Sequence, residues 1–406
     1  MEKSIQNLFS NFSPVSDKEW EEKVLKDLKG KSLESLNWQL EDGIAIKPYY
    51  RQSDLKASDV LSLPTKKGDW LIAENFEVNE GVTGTKTCNK LLISALSGGV
   101  EAPVVNIDHV IDRKQFKTLL KGIHAEMITL GFSGLFPEAD PIGFLKLIIE
   151  EVASSGKPQS KFNGNLQLDP IGFFIENGEW YDNQAADFDH LASAIRLMDQ
   201  KLRSYKLIQV NMHLMHNQRA EITRELAVAI ATGSEYMTQL ISRGLTPDHA
   251  ARRIAFSVSV GNAYFPQMAK IRALKSLWRK VLQAYGCKAV NTTYVRASTS
   301  VAQQAEDQYT NMISATSSAM AAVLGGVDSL TVMPSDEAHG NPDDFSRRIA
   351  RNVQHLLREE SHLGKVQNPV EGSYYIEIMT RKLMEVAWEK FQKIEGNGGL
   401  LTFLSA

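Results

Sequence analysis

From residue 85 onward the chain alternates short apolar runs with long stretches of helical periodicity. That alternation restricts the fold more than any other property of the sequence. Eight runs read as strands: LLISAL from Leu91, AEMITL from Ala125, GNLQLD from Gly164, LIQVNMH from Leu207, IAFSVSV from Ile254, AVNTTYV from Ala289, SLTVM from Ser329 and KVQNPV from Lys365. Eight strong helical patterns accompany them. One is DPIGFLKLIIEEVASS, where Asp140 offers an N-cap and Pro141 the first helical position. Strands and helices alternating in this number predict an α/β fold, a (β/α)8 TIM barrel. An open doubly wound sheet is the rival, but no G-x-G-x-x-G follows the first strand, which disfavours its dinucleotide-binding form.

The first 45 residues read differently. SDKEWEEKVLKDLKG predicts a short amphipathic helix capped by Ser16 and stopped at Gly30. SLNWQLEDGIAIKPYY predicts a hairpin turning at Asp42-Gly43. The polar stretch from Arg51 to Lys67, with its single Pro64, reads as a connecting arm. Residues 1–69 are expected to form an N-terminal arm, lying on this domain or on a partner as a subunit-contact extension, and residues 70–406 the barrel. With Phe9, Phe12, Trp20, Trp38, Tyr49 and Tyr50, the arm is too aromatic for a free linker, so its apolar side must lie on something.

Composition removes several classes of function. Lysine and arginine number 45 against 48 acidic residues, a net charge of −3, which argues against a nucleic-acid protein held by a basic face. No window approaches the ~18 uninterrupted apolar residues of a membrane span. The N-terminus lacks a basic-then-apolar signal pattern, so a cytoplasmic location is expected. Two distant cysteines, Cys88 and Cys287, are too few for a disulfide framework and read as reduced, buried thiols.

Local motifs narrow the chemistry without fixing it. His213 and His216, in NMHLMHNQRA, run out of a strand into a loop, where barrel sites are built; polar lining or a surface loop is the other reading. Lys270 and Arg272, in QMAKIRALKSLW, read as the solvated face of a helix, with anion binding as the alternative. Asp336 and Glu337 follow a strand end, placed either for site chemistry or as partners of the next helix's dipole. Neither G-x-x-x-x-G-K-[ST] nor G-x-S-x-G occurs.

Long strings in the second half carry more information. NAYFPQMAKIRALKSLW, AMAAVLGGVDSL, DEAHGNPDDFSRRIARNVQHLLREESHLGKVQNPVEGSYYIE and AWEKFQKIEGNGGL resemble the adenosylcobalamin-dependent acyl-CoA mutases, the methylmalonyl-CoA mutase family above all. TRELAVAIATGSEYM is similar to that family's E-L-A-Y-T-L-A-D-G helix, and the resemblance runs from about Trp70 to the C-terminus. It implies a (β/α)8 barrel that, in the family, is followed by a separate cobalamin-binding domain.

Departures from the family pattern are as informative. The family's W-T-I-R-Q-Y, whose Tyr stacks against the reacting substrate, matches Trp70 to Asn75, so Asn75 stands in place of the Tyr. S-G-Y-H-M, whose His bonds the thioester carbonyl, matches Asn211 to Met215 and puts Leu214 in place of the His; a two-residue gap would bring His216 there instead. The H-x-Q-T-S-G-W-S stretch is replaced by Tyr294 to Ser300, and the Asn before D-E-A by Met333. No counterpart of T-I-Q-N-D and its following substrate Arg is found. D-x-H-x-x-G, the cobalamin-ligating motif, occurs nowhere in the sequence, so the cobalamin-binding domain is expected to be absent from this chain. Met212, Leu214, Phe256, Tyr294 and Met333 are expected to face inward and plug the barrel axis.

Together these losses imply the non-catalytic small (beta) subunit of a heterodimeric methylmalonyl-CoA mutase, with no catalytic residue of its own. The partner is then the catalytic large subunit, which binds the adenosylcobalamin, with neither nucleic acid nor membrane involved. Glu337 is the one family-matched position expected to touch cofactor. The alternative is an active acyl-CoA-binding subunit working with a separate cobalamin-binding polypeptide.

Overall fold

The structure is a computed structural model that describes residues 13, 15–41, 43–56, 60–61, 63, 70–135, 140–291, 293–340 and 342–405. It divides into two compact units, residues 1–55 and 56–406. In the first, α1 (Asp17–Asp27) begins as expected at Ser16, whose hydroxyl accepts from the Glu19 amide while the Glu19 carboxylate accepts from the Ser16 amide. The helix stops before Gly30, whose φ of +90° only glycine adopts freely. The hairpin also forms, pairing β1 (Trp38–Glu41) with β2 (Ile44–Ile46). Part of the aromatic side is satisfied within the unit. Trp20 meets Tyr49 edge-on at 4.2 Å, and the Arg51 guanidinium lies 4.4 Å over the Trp20 ring. Trp38 remains 40% exposed. Phe9, Phe12, Asp42 and Pro64 lie outside the described residues.

The second unit is a closed barrel of parallel strands. In chain order come β3 (Leu71–Glu77), α2 (Gly81–Ser97), β4 (Ala102–Asn106), α3 (Arg113–Leu119), β5 (Thr129–Ser133), α4 (Pro141–Ser154) and β6 (Asn163–Leu168). Then follow α5 (Pro170–Asn177), α6 (Gln184–Lys201), β7 (Lys206–Asn211), α7 (His213–Asn217), α8 (Ile222–Ser242), α9 (Pro247–Arg253) and β8 (Ile254–Val260). The remainder is α10 (Tyr264–Ala284), β9 (Val295–Thr299), α11 (Gln308–Gly325), β10 (Ser329–Thr331), α12 (Asp344–His355), α13 (Tyr374–Gly396) and α14 (Leu400–Ser405). Each barrel strand pairs with the next, and β10 closes on β3 with Ser329 opposite Leu71. The expected (β/α)8 barrel is therefore the fold. No helix among the described residues is long and apolar enough to cross a membrane.

Two of the eight expected strands are not strands. LLISAL lies inside α2, where Cys88, Leu92 and Ala95 are buried while Leu91 and Ile93 face outward, a helical stripe that a short window disguises as a run. KVQNPV is a turn region, with Asn368 at a φ of +46° beside Pro369. The strands that fill the count are β3 and β4; β3 hides its periodicity because Glu74 and Asn75 interrupt its apolar residues. Two others shift: Ala125–Met127 forms a 3-10 turn before β5, and β9 starts at Val295 rather than Ala289. Asp140 does cap α4, accepting from the Ile142 and Gly143 amides.

The basic face expected at Lys270 and Arg272 is also corrected, since both side chains are fully buried. Helix α10 packs against both α8 and α13, so every residue from Pro266 to Leu274 is buried. Lys270 pairs with Glu225 of α8 at 2.9 Å, and Arg272 with Glu377 of α13 at 2.6 Å. Glu377 accepts further from the Gly372 and Leu61 amides. The apolar side of the same helix places Trp278 against Phe256 of β8 at 5.0 Å. The two cysteines are buried and unpaired as expected, and burial pushes the Cys88 thiol up to about 12.

Two stability predictions follow from this packing. Glu377→Gln strips the charge from the partner of a fully buried guanidinium and should cost about 3–5 kcal/mol in urea unfolding; a loss under 1 kcal/mol would remove the pair from the account of how α10 and α13 stay together. In Gly233→Ala, the new Cβ would stand 2.5 Å from the buried Trp278 ring. Overpacking should cost about 1–3 kcal/mol, although alanine is the better helix former. An unchanged or raised melting temperature would contradict it.

Candidate active-site cavity

Alternation along a strand sends every second side chain into the barrel. In the upper half these inward residues are mostly polar: Asn75 and Glu77 from β3, Asn106 from β4, Gln209 and Asn211 from β7, Ser257 from β8, and Arg296 and Ser298 from β9. They line a cavity of about 460 Å3 at the C-terminal ends of the strands, where barrel enzymes build their sites. The expected apolar plug is not what fills this part of the axis. Phe256 points outward onto Trp278, and Met212 and Leu214 line a separate small crevice against Val228 of α8. Met333 alone of the expected plug residues lines the cavity; Tyr294 sits below it and is absent from its lining. Odd and even positions of β8 were confused because all seven of its residues are buried, so burial gives no sign of which face is which.

The residues singled out from sequence separate cleanly. Asn75 faces the cavity, and its Oδ1 accepts from the Arg296 guanidinium. At the end of β7, His213 lines the cavity and its Nε2 meets the Ser257 hydroxyl, whereas Leu214 turns away. His216 is buried outside the cavity, held by Glu225 at 3.1 Å and the Ser300 hydroxyl at 2.9 Å. Glu337 lies at the mouth. Burial raises its carboxyl above the usual range, against the pull of Arg347 and with help from Glu77 and Asp336. Glu74, also raised by burial, is held by Arg347 at 3.4 Å and Arg351 at 2.9 Å, both from α12.

Three cavity features escaped the sequence reading. Arg296 is one, in the stretch that replaces H-x-Q-T-S-G-W-S. Gln167 is another; its backbone takes a φ of +45°, strain that a non-glycine residue holds only where the surroundings fix it. Its side chain donates to Asn165 at 2.7 Å and accepts from Gln209 at 3.0 Å. Asp169 is the third. It is buried behind the cavity, bonded by the Tyr236 hydroxyl at 2.6 Å and the Asn211 amide at 2.9 Å, and burial lifts its carboxyl to about 6. The sequence signal for the last two was only their place, at the end of the run GNLQLD where barrel strands deliver site residues.

Chemically the cavity offers neutral hydrogen-bonding groups around the Arg296 guanidinium, with Glu77, Glu337 and the Glu74–Arg347–Arg351 cluster also in its lining. The His213–Ser257 contact has the outline of a base and nucleophile, but His213 is a poor base. Burial, and next the Arg296 charge, push it down to about 3. Among the described residues no group of three His, Cys, Asp or Glu side chains could hold a metal ion.

Comparison with known proteins agrees with this architecture. A family model described as methylmalonyl-CoA mutase matches residues 94–406. The methylmalonyl-CoA mutase small subunit of Porphyromonas gingivalis is 32% identical over 98% of this chain and 66% of its own length. The small subunit of Propionibacterium freudenreichii subsp. shermanii is 28% identical over 97% of this chain and 64% of its own. The methylmalonyl-CoA mutase of Cereibacter sphaeroides is 28% identical over 94% and 58%. The chain thus spans between 58% and 66% of the length of these relatives. With its parallel barrel closed by β10 on β3 and its match over most of its length, the chain belongs to the methylmalonyl-CoA mutase family.

Proposed function

We propose that this chain is the small (beta) subunit of a heterodimeric methylmalonyl-CoA mutase and performs no chemistry itself. The catalytic large subunit would interconvert methylmalonyl-CoA and succinyl-CoA, and this chain would bury and fix one of its faces. The observation that carries the reading is the state of the cavity. At the position matching the family's Tyr stands Asn75, bonded to Arg296, and the one histidine lining the cavity is held neutral against Ser257. Without a basic imidazole at this histidine, the cavity's His213–Ser257 contact does not supply a general base.

The residues here do not fit a corrin. A cavity of about 460 Å3 has the size that takes a drug-sized ligand. Glu77 and Glu337 also stand in its lining, and the sequence carries no D-x-H-x-x-G to supply a lower ligand. Adenosylcobalamin is accordingly assigned to the large subunit. The role of the N-terminal arm, with Trp38 exposed, is to clasp that partner.

Purified alone, the chain should show no isomerase turnover, even with a separately supplied cobalamin-binding protein. Turnover under those conditions would favour an active acyl-CoA-binding subunit and overturn the proposal. Mixed with a catalytic large subunit, the chain should co-elute in size exclusion. Deleting residues 1–45 should abolish that co-elution while leaving the circular dichroism of the barrel intact. Retained co-elution would remove the clasp from the account, and an unfolded truncation would show that the arm serves the barrel's own stability.

The neutral His213 has a pH consequence. Its folded value of about 3 lies below the ordinary 6.5, so between these limits the unfolded chain binds a proton that the folded chain does not. Stability must then fall as pH drops below 6.5, by up to about 1.4 kcal/mol per pH unit from this group. His213→Gln should lose less stability than the parent between pH 7 and pH 5.5 in urea unfolding. Equal losses would show that His213 titrates normally.

A further inference from the structure

We propose that the barrel cavity is a receptor for a short monocarboxylate, whose carboxylate docks on the Arg296 guanidinium. The buried basic side chains among the described residues are Arg253, Lys270, Arg272 and Arg296. Three of them carry a carboxylate: Asp199 on Arg253 at 2.5 Å, Glu225 on Lys270 at 2.9 Å and Glu377 on Arg272 at 2.6 Å. Arg296 is the exception. Its partners are neutral, the Asn75 Oδ1 and, at 3.2 Å, the Thr331 hydroxyl. Both bonds come from Nη2. Nε and Nη1 have no acceptor among the described residues, and they are not sealed off as the Nε atoms of Arg253 and Arg272 are. A desolvated cation without a counter-ion is strongly unfavourable, and the arginine fork matches a carboxylate edge-on.

The surroundings specify the ligand further. Asn75, Gln209, Ser257, Ser298 and Thr331 line the cavity beside Arg296 and are all neutral, as is His213. The other lining cations, Arg347 and Arg351, are committed to Glu74. Glu77 and Glu337 stand among the lining residues and would repel a second negative charge directed at the mouth. Ala73, Val104 and Met333 supply apolar wall. A single carboxylate matches the guanidinium and a short apolar tail matches the apolar wall, and about 460 Å3 leaves room for water on the remaining polar groups. Among the described residues no carboxylate forms an ion pair with Arg296, and burial lowers the guanidinium to about 10.

Butyrate is the probe, titrated into the full chain alone at ionic strength matched with sodium chloride, with thermal unfolding and calorimetry as readouts. The expected result is a saturable rise in melting temperature of about 2–4 °C, smaller or absent with succinate. Arg296→Met should abolish the rise. Asn75→Asp, which builds a carboxylate where Arg296 already donates, should raise the melting temperature without ligand and make butyrate ineffective. No saturable shift in the parent, or an undiminished shift in Arg296→Met or Asn75→Asp, would overturn the proposal; succinate matching butyrate would overturn its single-charge part. The test needs no partner subunit, so its failure and that of the heterodimer assignment are separable.

Discussion

Closure of β10 against β3 is the constraint on which the second unit depends. A parallel barrel has no edge strand, so each backbone amide and carbonyl of the ring finds its partner in a neighbouring strand. Closure also confines every inward side chain to one shared interior. In this chain the upper layers of that interior carry amides, hydroxyls and a guanidinium, so their hydrogen bonds must be satisfied by one another or by whatever enters the cavity. The Asn165–Gln167–Gln209 chain and the Asn75–Arg296–Thr331 cluster are the outcome.

Outside the ring the same electrostatic rule is met in a different way. The helical layer buries Lys270 and Arg272 completely, but each arrives with its own carboxylate from a neighbouring helix. Glu225 also holds His216, so α7, α8 and α10 are joined by one buried polar network rather than by apolar contact alone. Such pairs contribute little net stability relative to an apolar core, yet removing one partner is strongly unfavourable, which restricts how the helices can pack.

Membership of the mutase family and the quiet chemistry of the cavity are compatible because a fold does not carry a function by itself. The barrel keeps the family's position for a site, at the C-terminal ends of its strands. The groups standing there are engaged with each other: Asn75 with Arg296, and His213 with Ser257.

The α/β barrel class, the Ser16 and Asp140 helix caps and the N-terminal hairpin were legible in the sequence, because periodicity, capping and turn chemistry are local properties of the chain. Two strand assignments failed where locality failed. A helical stripe in α2 passed for a strand, and β3 was concealed because Glu74 and Asn75 interrupt its apolar residues. The family strings pointed to the ends of β3 and β7, yet left Leu214 and His216 as alternatives at one position. Both lie on α7 just past the strand, and only the closed ring shows that His213 lines the cavity while Leu214 and His216 do not. Likewise Lys270 and Arg272 look like surface in a helix read alone. Their burial was decided by α8 and α13, elements that lie far away in sequence and supply the countercharges. Arg296 shows the converse, since among the described residues its hydrogen bonds go to the neutral Asn75 and Thr331.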